Sequence, residues 1–500
     1  MLARFRAQFA ASSGITQTGR CATTAIHICF AADPVDDHTL RVVKAMRRAL
    51  RSALTRSDAN ELRAAWTHAK ADVLCPAPVP PNTLTKHTSE EPRWSQVSGP
   101  ISAATATLSP LGWRLPNPQR WTSPEGTGYS VRDHPEVPFL RLVSKSVQTS
   151  LWKKAATHYC AAGIESSPDP VSFKLLKAFR REGAVVEAGL LECMLCAGFW
   201  FPERVAAAFP REVSPICDKC PHNVPATPAH VLWECPSLKH SVAPEVIKTQ
   251  ELVPEASFNH NHAACYWLRR LLPKVWVLEQ VPPLPLTYLL SYVGFVPDDG
   301  WPSGEYFTDG AGGSHSSWPA LRRCGCGVVF LAAGVVLAPL FGAFFPLAGE
   351  PQTVPRAELF AIIVVLLFLS PGAAAIIHTD SELCSKGFAA QTDQGENADL
   401  WQLLWSTISA KSLDIQVRWV KAHGLEHPEF ISKFALSLHQ LLGNALADKL
   451  ADRAADAAAI DPDIACRILS LYAETQAIQR RFVSTLGILV REREADIIFA

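Results

Sequence analysis

The chain has 500 residues, 48% of them hydrophobic and 19% charged, a composition that excludes a disordered or fibrous protein and allows a sizeable core. The formal net charge is zero, but residues 1–240 carry 28 Lys and Arg against 20 Asp and Glu, whereas residues 305–456 carry 10 against 15. We therefore expect roughly two to four domains, with the N-terminal half better suited to contact a polyanion.

The cysteines and the apolar runs indicate the cellular location of the protein and whether it crosses a membrane. The 14 cysteines are scattered and no secretory signal precedes them, which favours an intracellular, reducing location, nuclear or cytoplasmic, over secretion. Two apolar runs, residues 327–349 and 359–377, are interrupted by Gly and Pro into pieces shorter than the roughly 20 residues that span a bilayer. We interpret them as buried strands and a core helix, and we expect no membrane partner.

The first 304 residues are predicted to be mostly helical, with linkers rich in proline. A basic helix over residues 38–72 is more often a solvated face than a contact to nucleic acid. The predicted segments are an N-terminal segment with this helix (1–74), a Pro-rich connector with 12 prolines (75–138), a helical region (139–240) and a linker with one short helix (241–304).

A cluster of Cys and His residues lies near the end of the helical region, in ICDKCPHNVPATPAHVLWECP. Cys217 and Cys220 have the spacing at which two thiolates can meet one ion, and His230 and Cys235 complete a possible tetrahedral Zn²⁺ site. Residues five apart on an α-helix diverge by about 140°. We therefore expect Pro236 to turn Cys235 away from helical geometry and back towards the ion.

Two alternatives to this ligand set stay open. Cys193 and Cys196 form the other C-x2-C pair, and with Cys217 and Cys220 they match a four-cysteine zinc site. All these residues could also be free thiols or core groups, because the metal is inferred from spacing alone. We favour the set with His230, since its compact spacing needs fewer assumptions about the intervening fold.

From Glu305 onward the patterning predicts the order β-β-β-α-β-α-β-α. An antiparallel meander followed by parallel crossovers gives a mixed sheet covered by helices, in the α/β class. The first strand is predicted to end at Asp309 in YFTDGAGG, and the other four strands to cover 326–332, 335–344, 373–378 and 415–420. Helices are predicted from 356 to 369, around 400–408 and over 443–455.

Four acids fall at informative places in this order. Asp309 and Asp380 each end a core strand, Glu358 opens the buried helix, and Asp448 lies in the later amphipathic helix. Carboxylates at the edge of a core repel one another and are costly to desolvate unless cations pair with them. Hard oxygen ligands in this number suit Mg²⁺, although a turn or a helix cap would explain any one acid taken alone.

Residues 305–456 resemble a type 1 ribonuclease H domain through FTDGAGG, PRAELFAI, IIHTDSELC, VRWVKAHG and GNALADKLA, in that order. The resemblance implies a mixed five-stranded sheet flanked by helices, and cleavage of the RNA strand of an RNA–DNA hybrid. It implies that Asp309, Glu358, Asp380 and Asp448 hold two Mg²⁺, about 4 Å apart, which activate water and stabilise the leaving oxygen. It further implies that His423, on a loop, assists proton transfer or product release.

Other residues are predicted from the same region with weaker support. Ser381 and Asn444 are candidate polar contacts to nucleic acid, although a helix cap or a surface role is more common for such residues. An insertion, residues 425–442, separates His423 from Asp448, so we expect this loop to be arranged differently from that of the family. The acidic region also shows no obvious basic segment, so hybrid affinity is expected to depend on other parts of the chain.

A second resemblance comes from the order along the chain of the Cys/His segment and the ribonuclease H-like region. The Cys/His segment is similar to the one that follows the polymerase in non-LTR retrotransposon proteins, where a ribonuclease H domain can come next. The chain therefore resembles the C-terminal portion of such a protein or a domesticated relic, and a catalytically inactive nucleic-acid-binding relic is the alternative function. Residues 457–500 are predicted to carry a last helix, 461–495, that packs against its own domain.

Overall fold

The computed structural model describes residues 20–29, 33–52, 56–74, 97, 99–211, 213–331, 340–393, 395, 397–422, 427–434 and 436–499. They divide into two compact units: the first holds residues 1–277 and 469–500, and the second holds residues 278–468. His423 and part of the predicted hairpin, residues 332–339, lie outside the described residues.

The first unit is mostly helical, as the sequence predicts. Its short strands β1 (Arg120–Thr122) and β2 (Gly128–Ser130) pair antiparallel. The helices that precede the sheet of the second unit are α1 (Ala22–Cys29), α2 (Pro34–Ser52), α3 (Arg56–Leu74), α4 (Gly99–Leu108), α5 (Glu136–Ala156), α6 (Lys174–Glu182), α7 (Val185–Leu195), α8 (Pro202–Ala208), α9 (Pro244–Lys248), α10 (Val253–Asn259), α11 (Ala264–Trp267) and α12 (Lys274–Leu278).

The structure differs from the predicted connector after residue 98, because residues 99–138 are folded. Trp113 and Trp121, at 2% and 0% exposure, join one hydrophobic core with Phe139 of α5. Trp66 of α3 stacks on Trp121 with ring centroids 6.2 Å apart. The prolines of this stretch mark turns between short elements, and the buried tryptophans supply the apolar area of its core.

The second unit is built on a six-stranded mixed sheet with strand order β3-β6-β5-β4-β7-β8. The β4–β7 and β7–β8 pairs are parallel, and the other pairs are antiparallel. The strands are β3 (Ser291–Gly294), β4 (Gly304–Ala311), β5 (Gly325–Leu331), β6 (Phe341–Pro346), β7 (Ala374–Thr379) and β8 (Asp414–Trp419); the helices are α13 (Val354–Phe368), α14 (Glu382–Ala389), α15 (Ala398–Lys411), α16 (Pro428–Phe434) and α17 (Leu438–Ala457).

The sheet has one strand more than the five predicted. The additional strand, β3, is a four-residue edge strand that pairs with β6 and is largely exposed. It lies in the stretch that the sequence analysis assigned to the linker. Short exposed edge strands carry little of the alternating apolar pattern on which the prediction depends, so this strand was missed.

Helices cover both faces of the sheet. Tyr306 of β4 faces α13 and belongs to the main core of the unit, together with Ile362 and Leu366. The next residue, Phe307, faces the other way and packs with Ala447 of α17. The run 354–368, which is almost wholly apolar, is therefore a core helix, as its sequence predicts, and Pro355 occupies its first turn.

Glycines on β5 let α17 approach the sheet very closely. A Cβ added to Gly327 would overlap the carbonyl oxygen of Ala447 and the amide nitrogen of Ala451. A Cβ added to Gly325 would overlap the backbone of Ala451 and Ala455 in the same way. We call these five residues the glycine–alanine contact. It holds the helix that carries Asp448 against the strand next to β4.

We expect Gly327→Ala to destabilise the protein by about 3 kcal/mol or more, because the added methyl group meets helix backbone that cannot move aside. Thermal unfolding followed by far-UV circular dichroism measures the change. The matched control is Gly189→Ala, at an exposed site in α7 where an added Cβ has open space. This change should be neutral or stabilising by about 0.5–1 kcal/mol. Equal stability of the two variants would contradict the close approach.

The last helix, α18 (Pro462–Phe499), extends the predicted 461–495 segment. The prediction that it packs against the domain before it in sequence is wrong for the residues from Leu469 onward, which belong to the first unit. There the fully buried Arg481 donates to the carbonyl oxygens of Leu232 (2.9 Å) and Val246 (3.0 Å). Across the described part of the chain, no helix combines the length and apolar character that crossing a bilayer would require.

Candidate active site and Cys/His cluster

The parallel pairing of β4 and β7 places two acids side by side. Thr308 of β4 is in register with Thr379 of β7, so the next residues, Asp309 and Asp380, meet at the same edge of the sheet. Gly310 brings in the third acid. A Cβ at this position would lie 2.5 Å from the amide nitrogen of Glu358, so only glycine allows the start of α13 to come this close to β4.

The carboxylates of Asp309, Glu358 and Asp380 converge at this edge. Each offers an oxygen, and the three oxygens lie within 4.8 Å of one another. Asp309 and Glu358 are each 6% exposed, and Asp380 is half-buried. Asp448, also half-buried, lies on α17 and is not part of this tight group, but its charge acts on Asp309. The sequence-predicted acids therefore form a group of three with a fourth nearby.

The electrostatics of this group are unfavourable without a cation. Burial, and then the charges of Asp380 and Asp448, raise the pKa of Asp309 to about 8. Burial, and then the charges of Asp309 and Asp380, raise the pKa of Glu358 well above its usual range. Carboxylates with such pKa values share protons at neutral pH unless positive charge binds among them.

The nearest buried arginine does not supply that charge. Arg356, two residues before Glu358 in α13, forms a bidentate ion pair with Asp399, at 3.0 and 2.5 Å. The Oε2 atom of Glu358 is buried and has no hydrogen-bond partner among the described residues. An oxygen-rich, partly unsatisfied donor set of this kind fits a hard divalent cation such as Mg²⁺.

The remaining predicted residues of this region have different placements. The Ser381 hydroxyl is the N-cap of α14 and accepts a hydrogen bond from the amide of Cys384 at 3.4 Å. Asn444, one turn before Asp448, is 6% exposed, and its Oδ1 atom is buried without a partner in the described part of the chain. For His423 the structure gives no placement, because it lies outside the described residues.

Trp419 is a residue at this edge that the sequence analysis did not select. It ends β8 in register with Thr379, and its indole Nε1 donates to the carbonyl oxygen of Asp380 at 3.0 Å. The ring is nevertheless 39% exposed. The signal available in the sequence was a tryptophan at the end of a predicted strand, between Arg418 and Lys421.

The Cys/His cluster of the first unit is a second converging group. Ligand atoms of Cys217, Cys220, His230 and Cys235 all lie within 4.8 Å of one another. The Sγ atoms of Cys217 and Cys235 are 3.9 Å apart, and Cys220 Sγ lies 3.5 Å from His230 Nε2. Tetrahedral zinc, with Zn–S about 2.3 Å and Zn–N about 2.0 Å, requires separations of about 3.8 Å and 3.5 Å.

A π-helical turn explains how His230 and Cys235 meet. Residues His230–Glu234 wind as a π-helix, and the amide of Cys235 donates to the carbonyl oxygen of His230 at 2.8 Å. This i to i+5 bond brings residues five apart to the same side, which an α-helix does not do. Cys235 itself is extended before Pro236, with φ −60° and ψ 122°, as expected for a residue that precedes proline.

The protonation states of the cluster also fit a soft cation. Burial raises the pKa of the Cys217 thiol to about 11, so a thiolate at this site requires a positive partner. Burial lowers the pKa of His230, which keeps the imidazole neutral, the form that binds metal. The Ser237 hydroxyl lies 3.0 Å from Cys235 Sγ and supplies an outer hydrogen bond.

The rival cysteine pair does not join this cluster. Cys193 accepts a hydrogen bond from Arg20 at 3.1 Å, and Cys196 is fully buried at the end of α7, beside Cys21. Neither belongs to a group of three or more metal-binding side chains in the described ranges. The structure therefore brings together the four residues with the compact spacing and leaves the alternative four-cysteine set apart.

Comparison with known proteins identifies the region around the acidic group. Residues 303–456 match the family model of RNase H. The ribonuclease H of Bordetella avium is 30% identical over 89 residues, which cover 15% of this chain and 57% of that protein. The ribonuclease H of a Polaromonas species is 32% identical over 109 residues, which cover 19% of this chain and 65% of that protein. The chain thus spans less than two thirds of either relative.

Solved structures are similar over about a third of the chain. The RNase H domain of prototype foamy virus is 21% identical, with a TM-score of 0.24, and covers 32% of this chain and 95% of that domain. LC11-RNase H1, solved in complex with an RNA/DNA hybrid, is 17% identical, with a TM-score of 0.23, and covers 31% of this chain and 97% of that protein. The family model places an RNase H domain at residues 303–456, and the mixed sheet flanked by helices confirms the predicted α/β fold.

Proposed function

We propose that the RNase H domain at residues 303–456 hydrolyses the RNA strand of RNA–DNA hybrids endonucleolytically, as a type 1 enzyme. The observation that carries this proposal is the convergence of Asp309, Glu358 and Asp380 at one edge of the sheet, with Asp448 on the neighbouring helix. The family match and the two ribonuclease H relatives support it. The solved relative with a bound hybrid makes the same substrate a natural candidate here.

The acids would hold two Mg²⁺ ions. Bound there, Mg²⁺ supplies an activated water and stabilises the negative charge that develops on the leaving oxygen. Asp309 and Glu358 present buried oxygens that need a cation, and the nearby Gly310 amide opposes the rise in both pKa values. Trp419 fixes the backbone of Asp380, so the more exposed carboxylate keeps its place at the edge. A loop residue such as His423 would then move the proton or assist product release.

The test is cleavage of an end-labelled RNA–DNA hybrid by the purified full-length chain with Mg²⁺ and, separately, with Mn²⁺. We expect cuts within the RNA strand that leave 5′-phosphate ends, and no cuts in the DNA strand or in a DNA duplex. Absence of cleavage with both ions would overturn the proposal. Cleavage that persists in EDTA would contradict the assignment of the acids as ligands of the required cation.

A second candidate is a domain that binds hybrids without turnover. The insertion of residues 425–442, which carries α16 between the loop of His423 and the helix of Asp448, favours this alternative because it can alter the loop. Hybrid binding without cleavage, under either ion, is the result that this second candidate requires.

The order of features along the chain, a Cys/His segment followed by an RNase H domain, supports the proposed origin in a non-LTR retrotransposon-like protein.

We also propose that Cys217, Cys220, His230 and Cys235 bind one structural Zn²⁺ ion. The two measured separations agree with tetrahedral coordination, and three of the four residues are buried. Four protein ligands leave no open position, so the site is structural rather than catalytic. It would fix the π-helical turn, which is anchored where Trp233 Nε1 donates to the carbonyl oxygen of Trp267 at 2.8 Å.

A further inference from the structure

Helix α16, in the insertion after β8, carries half-buried aromatic rings and an exposed lysine and contacts the residues that end β8 beside the acidic edge. Helix α16 presents Phe430 and Phe434, whose ring centroids lie 5.7 Å apart. Phe434 also contacts the ring of Trp419 edge to face, with centroids 5.8 Å apart. We call Trp419, Lys421, Phe430, Lys433 and Phe434 the aromatic–lysine surface.

Both lysines of this surface are held against aromatic rings. The Lys421 ammonium lies 5.1 Å from the centroid of Phe430, and the Lys433 ammonium lies 5.5 Å from that of Phe434. Neither makes an ion pair with a residue that the structure describes, so the positive charges stay available to a ligand. The rings restrict the positions of the two ammonium groups, which lowers the entropy that a phosphate contact would cost.

Several other cations of this unit are already neutralised or used within the fold. Arg356 pairs with Asp399, and Lys386 pairs with Glu382 at 2.7 Å. Lys411 donates to the carbonyl oxygens of Leu367 (2.6 Å) and Leu369 (2.8 Å). An RNase H domain with an excess of acids therefore has few free cations with which to attract a polyanion, and the aromatic–lysine surface carries two of them.

The surface is continuous with the candidate active site. Trp419 belongs to both, because its indole bonds to Asp380 while its ring packs on Phe434. A nucleic-acid duplex that reaches the acidic edge brings phosphates close to this ring. Positive charge at this distance offsets the repulsion between those phosphates and the carboxylates.

We propose that the aromatic–lysine surface binds the phosphate backbone of the RNA–DNA hybrid next to the cleavage site, through Lys421 and Lys433. This inference rests on the proposed hybrid substrate. The surface supplies affinity and position rather than base specificity, because ammonium groups on phosphates recognise charge and not sequence. It takes the place of the basic segment that the sequence of this domain does not show elsewhere.

The test is hybrid binding by the full-length chain carrying Asp309→Asn, which removes cleavage from the measurement. Fluorescence anisotropy with a labelled hybrid gives the dissociation constant between 50 and 200 mM KCl. We expect Lys421→Ala with Lys433→Ala to raise this constant about tenfold and to reduce the slope of log affinity against log salt by about 2, one for each lost phosphate contact. Lys421→Gln with Lys433→Gln should give the same change if folding is intact.

The matched control is Lys386→Ala, which removes an exposed lysine that Glu382 already pairs. It should leave the salt slope unchanged. An unchanged slope in the double variant would overturn the proposal, as would tighter binding of a polyglutamate peptide than of the hybrid through the same lysines. Cleavage by the native chain is scored separately. A reduced salt slope in the double variant, without cleavage by the native chain, supports phosphate binding by the aromatic–lysine surface and rejects the proposed nuclease activity. Cleavage by the native chain, with an unchanged slope in the double variant, supports the nuclease activity and rejects phosphate binding by this surface.

Discussion

Asp309→Asn is expected to lower the rate of hybrid cleavage by about 10³-fold or more and, at the same time, to stabilise the metal-free protein. Asparagine keeps the shape of the side chain but removes a charge that a bound cation needs. A bound cation contributes several kcal/mol of transition-state stabilisation, and losing about 4 kcal/mol of it lowers the rate about 10³-fold. Without metal, burial and the charges of Asp380 and Asp448 raise the pKa of Asp309 to about 8. At neutral pH the folded chain must therefore bind a proton at this group or bear its repulsion, and asparagine removes that cost.

Two measurements on the same variant check this expectation. Cleavage of a labelled hybrid gives the rate, and thermal unfolding in EDTA and in Mg²⁺ gives the stability. The native chain should gain thermal stability on addition of Mg²⁺, and the variant should lose most of that gain. The control is Asp414→Asn, an exposed acid at the start of β8, which should change neither quantity. Undiminished cleavage by the Asp309 variant would place the activity elsewhere.

Loss of zinc is expected to be the largest effect on stability. Structural zinc sites contribute apparent binding free energies of about 10–16 kcal/mol in small zinc-binding peptides, and much of this energy is folding energy. In this chain the ligands are joined to a buried network, because Arg481 of α18 bonds to the carbonyl oxygen of Leu232 and stacks over Trp233 at 4.7 Å. A strong chelator should therefore lower the unfolding temperature and release the packing around this turn.

Metal analysis of the purified chain is expected to give one zinc ion per molecule. Cys220→Ser, at the half-buried ligand, should remove it and lower the unfolding temperature. Cys193→Ser should retain it, because Cys193 bonds to Arg20 instead. The reverse pattern, with zinc lost from the Cys193 variant and kept in the Cys220 variant, would assign the metal to the rival cysteine set. Absence of zinc from the native chain would show that the thiols are free.

The acidic group could be predicted because its geometry follows from local signals. Asp309 and Asp380 each follow a strongly apolar strand, and parallel neighbours end at the same edge of a sheet. Glu358 follows Pro355 at the start of an apolar helix, so its position relative to the core was also fixed locally. The Cys/His cluster was similarly accessible, since its ligands lie within nineteen residues of sequence.

Other features depend on contacts between distant parts of the chain. The π-helical turn at His230 has no pattern of its own in the sequence. The spacing shows only that a regular α-helix would not bring His230 and Cys235 to the same ion. Residues 99–138 fold because Trp113 and Trp121 find partners on α3 and α5, far away in sequence. Trp419 was not predicted because its hydrogen bond to the carbonyl oxygen of Asp380 joins residues that are adjacent in space and 39 positions apart along the chain.

The glycine–alanine contact between β5 and α17 affects how the domain tolerates substitution. Its two glycines carry no chemistry, yet any larger residue at either position adds atoms where two backbones already meet. In a comprehensive mutational scan scored only by activity, Gly325 and Gly327 should therefore be as intolerant as Asp309. A parallel scan scored by protein abundance would separate the two groups: variants of Gly325 and Gly327 should be depleted, whereas Asp309→Asn should accumulate normally.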